Sequence, residues 1–171
     1  MEREQLPRAL ELRPTLAAVV VGVNDTLRRD FAAGRVGAAL AHSVGALSAA
    51  GATVLTMRLP DPGRMFGLPG ALARPLSRRI RAVNAVADAV AARYGSVHFD
   101  AAGHPQTYDR RMWSIDRLHP SERGHRLVAH SYAGCRTWWR WRRRSGGMGC
   151  AAQGTASTRP RLGRPPPRCA R

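Results

Sequence analysis

The run from Ala17 to Val21 constrains the fold of this chain more than any other stretch. Its five residues are small or β-branched and apolar, and no polar residue alternates among them. Such a run predicts a strand buried on both faces, the pattern of a parallel sheet covered by helices. The run ends in Gly-Val-Asn-Asp over 22–25. Two interpretations of that ending stay open: an ordinary turn, or a ligand-binding strand end, because open α/β sheets bind ligands beyond the carboxyl ends of their strands.

The rest of the chain alternates between predicted helices and strands. Apolar residues at helical spacing predict four helices, over 4–12, 36–50, 76–94 and 121–132. Runs of β-branched and apolar residues predict two further strands, over 53–59 and 96–100. Helices and strands that alternate in this way indicate a parallel sheet with right-handed crossovers, and therefore an α/β fold.

A loop rich in glycine and proline is predicted from Asp61 to Pro75. It contains three large apolar residues, Met65, Phe66 and Leu68. Loops of this length in compact domains often serve a function, so these side chains either line a pocket or cover the core. The sequence leaves both interpretations open.

The positive charge of the chain is concentrated toward its carboxyl end. The formal net charge is +17, yet residues 1–133 hold 18 arginines and all 11 acidic residues, whereas residues 134–171 hold 10 arginines and no acid. The chain has no lysine, so its arginines reflect a general codon preference and do not by themselves predict a specific nucleic-acid partner. We predict a folded domain over 1–133 and an Arg-rich, disordered tail over 134–171.

Two interpretations of this tail stay open. Trp138, Trp139 and Trp141 stand among arginines, which is typical of an arm that contacts a polyanion or an anionic surface. Alternatively, the tail lacks apolar periodicity and is a disordered segment without a selected role, such as the product of a shifted reading frame.

The composition also predicts where the chain works. No apolar run is long enough to span a membrane, and the amino terminus has no run of signal-peptide type, so we expect a cytoplasmic protein. The three cysteines, Cys135, Cys150 and Cys169, all lie in the tail at spacings that match neither a zinc site nor a disulfide framework. We therefore expect no metal and no cofactor.

Two short stretches contain residues suited to catalysis. Asp116 precedes His119 by three residues, so its carboxylate can accept a hydrogen bond from one ring nitrogen and leave the other basic. His119 is then a candidate general base, with Asp116 as the residue that orients it. At the end of the first strand, Asn24 offers a neutral amide donor for an oxyanion, and Gly22 leaves room for close approach.

The same two stretches resemble the conserved blocks of one hydrolase family. Gly22-Val23-Asn24-Asp25 is similar to the Gly-x-Asn-Asp block of the SGNH hydrolases, the GDSL lipases and esterases, and residues 116–120 are similar to their Asp-x-x-His-Pro block. The resemblance covers roughly residues 4–132. It implies a flavodoxin-like three-layer α/β/α sandwich and hydrolysis of a small-molecule ester. It also implies that Asn24 donates to the oxyanion, that His119 is the base and that Asp116 completes the triad.

The chain departs from the family pattern at its front. Family members begin with a strand that leads into Gly-Asp-Ser, whose serine is the nucleophile, and this sequence contains no Gly-Asp-Ser. Four of its serines lie in or beside predicted helices and strands: Ser43, Ser48, Ser77 and Ser96. We therefore expect an N-terminally truncated member that lacks the first strand or strands and the nucleophile. The first strand of this chain is then expected to have one unpaired edge.

Two classes of function stay open at this point. One is an SGNH-type ester hydrolase, either as the ancestral activity or as the activity of a longer protein. The other is a non-catalytic remnant or binding module whose Arg- and Trp-rich tail contacts polyanions.

Overall fold

Three parallel strands form the centre of the fold. A computed structural model describes residues 4–116 and 119–144, with side chains up to residue 134. The strands are β1 (Leu16–Ala18), β2 (Thr53–Arg58) and β3 (Val97–Asp100). The helices are α1 (Gln5–Glu11), α2 (Val23–Thr26), α3 (Ala33–Ala49), α4 (Pro62–Phe66), α5 (Gly70–Tyr94) and α6 (Glu122–Arg144). Two short 3-10 turns, Pro105–Tyr108 and Arg110–Met112, lie between β3 and α6.

The sheet order is β1-β2-β3, and both pairs of strands are parallel. Leu16 pairs with Thr53 across the first pair, and Leu55 pairs with Val97 across the second. These pairings confirm the predicted α/β fold with a parallel sheet. Among the residues that the structure describes, β1 pairs only with β2, so its other edge is unpaired.

The sheet separates two layers of helices. On one face, residues of α1, α3 and α5 pack with Val19 and Val54 in a common apolar cluster. On the other face, α6 packs on the later strands through Tyr132, which contacts Leu55 and Phe99. Successive residues of a strand point to opposite faces, which explains why Val54 and Leu55 belong to different clusters.

The prediction that the first strand is buried on both faces is wrong. Val19 is buried, whereas Leu16 and Val20 are 41% and 46% exposed. The reason is the position of the helices: α1 and α3 cover one face of β1, while α6 contacts β3 at the far side of the sheet. One face of β1 therefore remains apolar and open.

The predicted loop of residues 61–75 is partly helical. Asp61 caps α4 by accepting the Gly63 N–H at 2.8 Å, and Pro62 occupies the first turn, where its missing N–H costs no hydrogen bond. The long helix α5 begins at Gly70, before the predicted start at residue 76, and contains Pro75. Proline and glycine indicate a loop in isolation, but capping and tertiary packing support two helices here.

The last helix is longer than predicted. The sequence predicts an end near Tyr132, whereas the backbone of α6 continues to Arg144. The helix therefore crosses the predicted boundary between the domain and the tail at residues 133 and 134. Residues 145–171, which contain most of the predicted tail, lie outside the described part of the chain.

A buried asparagine attaches the central strand to α5. Asn84 is 4% exposed, and its side chain bonds both backbone groups of Leu59. Its Oδ1 accepts from the Leu59 N–H at 2.7 Å, and its Nδ2 donates to the Leu59 carbonyl at 2.9 Å. On the opposite face, the Tyr132 hydroxyl donates to the Thr56 carbonyl at 3.0 Å. These bonds fix the end of β2 between the two layers of helices.

His98 lies in a polar network between β2, β3 and α5. Its Nδ1 is 2.8 Å from the Thr56 hydroxyl, and its Nε2 is 3.1 Å from a carboxylate oxygen of Asp88. Burial lowers the pKa of His98 below its ordinary value, and the Asp88 carboxylate offsets only part of this effect. No local pattern in the sequence separates this histidine from surface histidines.

We expect His98 to make stability depend on pH. Below about pH 6.5, the unfolded chain binds a proton at this residue more readily than the folded chain, so the free energy of unfolding falls. His98→Gln should reduce the slope of the unfolding free energy against pH, by no more than about 1.4 kcal/mol per pH unit. Urea unfolding across this range measures it. The exposed His42 supplies the control His42→Gln, which should keep the original slope. Identical slopes for His98→Gln and the unsubstituted chain would contradict the assignment.

Candidate active site

The first predicted stretch turns sharply into a short helix. Gly22 precedes α2 with φ of 115°, a value that side chains with a Cβ rarely adopt. A Cβ at this position would stand 2.6 Å from a methyl carbon of Val83 on α5. The sequence predicts that this glycine leaves room for a ligand, and in the structure the space above it is occupied by Val83. The turn places Asn24 on α2, with its side chain exposed.

The far end of α2 is held by an arginine from α5. One Arg79 guanidinium nitrogen donates to the Thr26 carbonyl at 2.7 Å and to the Arg28 carbonyl at 2.8 Å. Thr26 is fully buried, and its hydroxyl donates to the Val23 carbonyl at 2.6 Å. These bonds satisfy carbonyl groups that a helix end leaves free. Asn24 therefore projects from a backbone that is fixed at both ends.

The second predicted stretch brings Asp116 and His119 into direct contact. The Nδ1 atom of His119 lies 2.6 Å from Oδ2 of Asp116. The other carboxylate oxygen accepts the backbone N–H of His119 at 3.1 Å. With its Nδ1–H donated to the carboxylate, the neutral imidazole keeps Nε2 as its basic atom. The His119 side chain is 78% exposed, so a substrate can approach it.

Ser114 supports this pair and was not predicted. Its hydroxyl donates to Oδ1 of Asp116 at 2.5 Å, and its backbone N–H donates to the His119 carbonyl at 2.9 Å. Trp113 and Pro120 form a β-bridge at the base of the same loop. Asp116 thus has hydrogen-bond donors on both oxygens, which fixes its orientation toward His119. The sequence signal for the role of Ser114 is a hydroxyl residue two positions before the aspartate. This pattern is too common in proteins to identify the role by itself.

An apolar cavity of about 460 Å³ lies between the two stretches. Val23, which adjoins Asn24, and Pro120, which adjoins His119, both line it. Met65 and Phe66 of the predicted loop also contribute to its wall, which supports the pocket interpretation for these two residues; Leu68 is not part of this wall. The cavity continues onto the open face of β1 through Ala18 and Val20. The stretches that carry the four predicted site residues therefore border one apolar space.

The four serines considered from the sequence lie elsewhere. Ser77 donates to Asp61 at 2.5 Å, and the hydroxyls of Ser43 and Ser96 are buried without a partner in the described part of the chain. Ser48 lies within α3. Among the described residues, no serine hydroxyl is hydrogen-bonded to the ring of His119 and no hydrogen bond joins Asn24 or Gly22 to the Asp116–His119 pair.

The described residues also bear on metal binding and on membrane insertion. Among the residues whose side chains the structure describes, 4–116 and 119–134, no three His, Cys, Asp or Glu side chains lie close enough together to hold a metal ion. In the described part of the chain, no helix is both long and apolar enough to cross a bilayer.

Gly22→Ala should destabilise the protein by about 2 kcal/mol or more, because a Cβ adds backbone strain and overlaps with Val83. Gly34→Ala is the matched control: it lies in α3, where a Cβ meets no atom within 4 Å, and alanine favours a helix. We expect the control to be neutral or slightly stabilising in urea unfolding. Equal stability of the two variants would show that the turn does not require glycine.

Comparison with known proteins identifies the family of this chain. Residues 1–127 match the GDSL-like lipase/acylhydrolase family. The fold is similar to the crystal structure of TesA, with a TM-score of 0.54 and 26% sequence identity over 75% of this chain and 67% of TesA. A search of curated protein sequences gave no match. Because the family match covers most of the chain, the protein belongs to the GDSL-like lipase/acylhydrolase family.

Proposed function

We propose that this chain carries the proton-transfer and oxyanion-binding residues of an ester hydrolase. His119 is the general base, Asp116 orients it, and Asn24 donates to the oxyanion from the turn made by Gly22. The contact between Asp116 and His119, 2.6 Å long and accompanied by a backbone bond to the same carboxylate, carries this proposal. It is the arrangement that general-base catalysis by histidine requires.

The chemistry follows the usual course of acyl transfer. A hydroxyl nucleophile loses its proton to Nε2 of His119 as it attacks the carbonyl carbon of the ester. Asp116 stabilises the imidazolium that forms, and the Asn24 amide donates to the oxygen that becomes negative. His119 then returns the proton to the leaving alcohol. Water repeats the sequence on the acyl intermediate, releasing the acid and the nucleophile.

The nucleophile is the missing component. Gly-Asp-Ser does not occur in the 171 residues, and the Ser114 hydroxyl is directed at Asp116. We propose that the attacking serine belongs to a separate strand that pairs with the unpaired edge of β1. The strand end would then lie beside α2 and Asn24, because the carboxyl ends of parallel strands share one edge of a sheet.

The cavity favours an apolar acyl group in the substrate. Its volume of about 460 Å³ is within the range of small-molecule sites, and most of its wall is apolar, including Met57, Leu59 and Leu127. An acyl chain in this space would place its carbonyl group toward the borders formed by Val23 and Pro120. We also propose, from composition alone, that the protein acts in the cytoplasm.

The alternative is a binding module without catalysis. The observation that favours it is the concentration of 10 arginines and no acid in residues 134–171. Such a module would bind polyanions with an affinity that falls steeply with salt. It would not respond to substitution of His119.

Fusion to a front segment tests the hydrolase proposal. The chain alone should cleave p-nitrophenyl acetate at the background rate. Fusion of a strand ending in Gly-Asp-Ser, followed by its helix, should produce hydrolysis that His119→Ala reduces by about 10²–10⁴-fold. His130→Ala is the control, because this histidine is exposed on α6 outside the Asp116 loop.

Three outcomes would contradict the proposal. If the chain alone cleaves the ester and His119→Ala abolishes that activity, the nucleophile is a serine within this sequence. If the folded fusion is inactive, this chain does not carry the proposed residues of a hydrolase site. If His119→Ala and His130→Ala reduce the activity of the fusion equally, His119 is not the base.

A further inference from the structure

Ser121 closes the base of the loop that carries His119. We refer to the described residues between 112 and 121 as the His119 loop. The Ser121 N–H donates to the Met112 carbonyl at 2.8 Å, and the Ser121 hydroxyl donates to the Arg111 carbonyl at 2.6 Å. One residue therefore holds two successive carbonyl groups at the start of the loop.

Two further backbone contacts join the arms of the His119 loop above this base. Trp113 and Pro120 form a β-bridge, and the Ser114 N–H donates to the His119 carbonyl at 2.9 Å. The His119 side chain is 78% exposed, so burial contributes little to its position. The position of His119 thus depends on a series of backbone contacts that begins at Ser121.

The first turn of α6 packs directly against the base of the His119 loop. The Ser121 hydroxyl accepts the Gly124 N–H at 3.2 Å, which is the hydrogen bond of an N-cap. A Cβ at Gly124 would overlap with the Met112 carbonyl oxygen and stand 2.9 Å from the Cβ of Pro120. Because the Ser121 N–H holds that carbonyl, the loop cannot move aside without breaking the bond. Glycine is needed here for close approach of the helix to the loop.

The same contact region forms part of the apolar cavity. Four residues of the loop base and the first helical turn line the cavity: Met112, Trp113, Pro120 and Gly124. A base that separated from α6 would therefore leave His119 without a fixed position relative to this space.

We propose that Ser121 and Gly124 are positioning residues for His119. Ser121 ties the base of the His119 loop to the start of α6, and Gly124 leaves the space that the Met112 carbonyl occupies. Both residues act through the loop backbone and not on the ester. This inference rests on the proposed function, in which His119 is the general base.

Backbone order in the chain alone tests the positioning role without catalysis. The NMR order parameter of the His119 amide should fall from about 0.85 to below about 0.6 in Gly124→Ala. It should fall by a smaller amount in Ser121→Ala, a milder change that keeps the test open if Gly124→Ala does not fold. The Val19 amide, which donates to the Leu55 carbonyl at 2.9 Å in the sheet, should keep its value.

Gly134→Ala is the matched control. Gly134 lies in the same helix, and a Cβ there would meet no atom within 4 Å. The control should leave the His119 amide as ordered as in the unsubstituted chain. An unchanged His119 amide in both Gly124→Ala and Ser121→Ala would overturn the proposal. An equal loss of order at Val19 would also overturn it, because the effect would then extend to the whole fold.

The fusion that carries Gly-Asp-Ser links this order to catalysis. Ser121→Ala should lower kcat about fivefold, the usual effect of a lost N-cap, and should leave KM unchanged. Ser121→Thr keeps the hydroxyl and should retain the activity. A loss confined to KM would overturn the positioning role. An inactive unsubstituted fusion would instead contradict the proposed function, and the order parameters would still decide whether Ser121 and Gly124 fix His119.

Discussion

The two hydrogen bonds between the Asn84 side chain and the Leu59 backbone join the elements that position the site. They fix the end of β2 to α5, within the buried centre of the fold. The same helix supplies Val83, which leaves no space for a side chain at Gly22, and Arg79, which holds the end of α2. One helix therefore positions both the central strand and the turn that carries Asn24. Without the contacts of α5, the one-turn helix α2 would not be stable, because helices this short are unstable in isolation.

The fold was largely predictable from the sequence because its signals are local. The run of β-branched and apolar residues predicts the strand that is observed as β2. A glycine follows the predicted end of the long helix, and this residue, Gly95, is the C-cap of α5. The burial of β1 was not predictable, since it depends on which helices cover each face. Pro75 gave a misleading loop signal, because a proline near the start of a helix removes only one hydrogen bond from a helix held by packing.

The candidate site was predictable only in part. Asp116 and His119 are three residues apart, so their contact depends on one local loop. The role of Ser114 depends on how that loop folds back, which spacing alone does not determine. Gly22 shows the converse: the motif draws attention to this glycine, but the residue that leaves no space for a side chain there, Val83, comes from a distant helix that no local pattern identifies. Residues that act through long-range packing are the ones that sequence reasoning misses.

We propose that this chain carries the base, its orienting residue and the oxyanion donor but no nucleophile. A fluorophosphonate probe, which forms a covalent bond only with an activated serine, tests this proposal. After incubation of the chain alone, intact-mass spectrometry should show no adduct, and His119→Ala should give the same spectrum. An adduct that peptide mapping assigns to a serine of this sequence, and that disappears in His119→Ala, would contradict the claim.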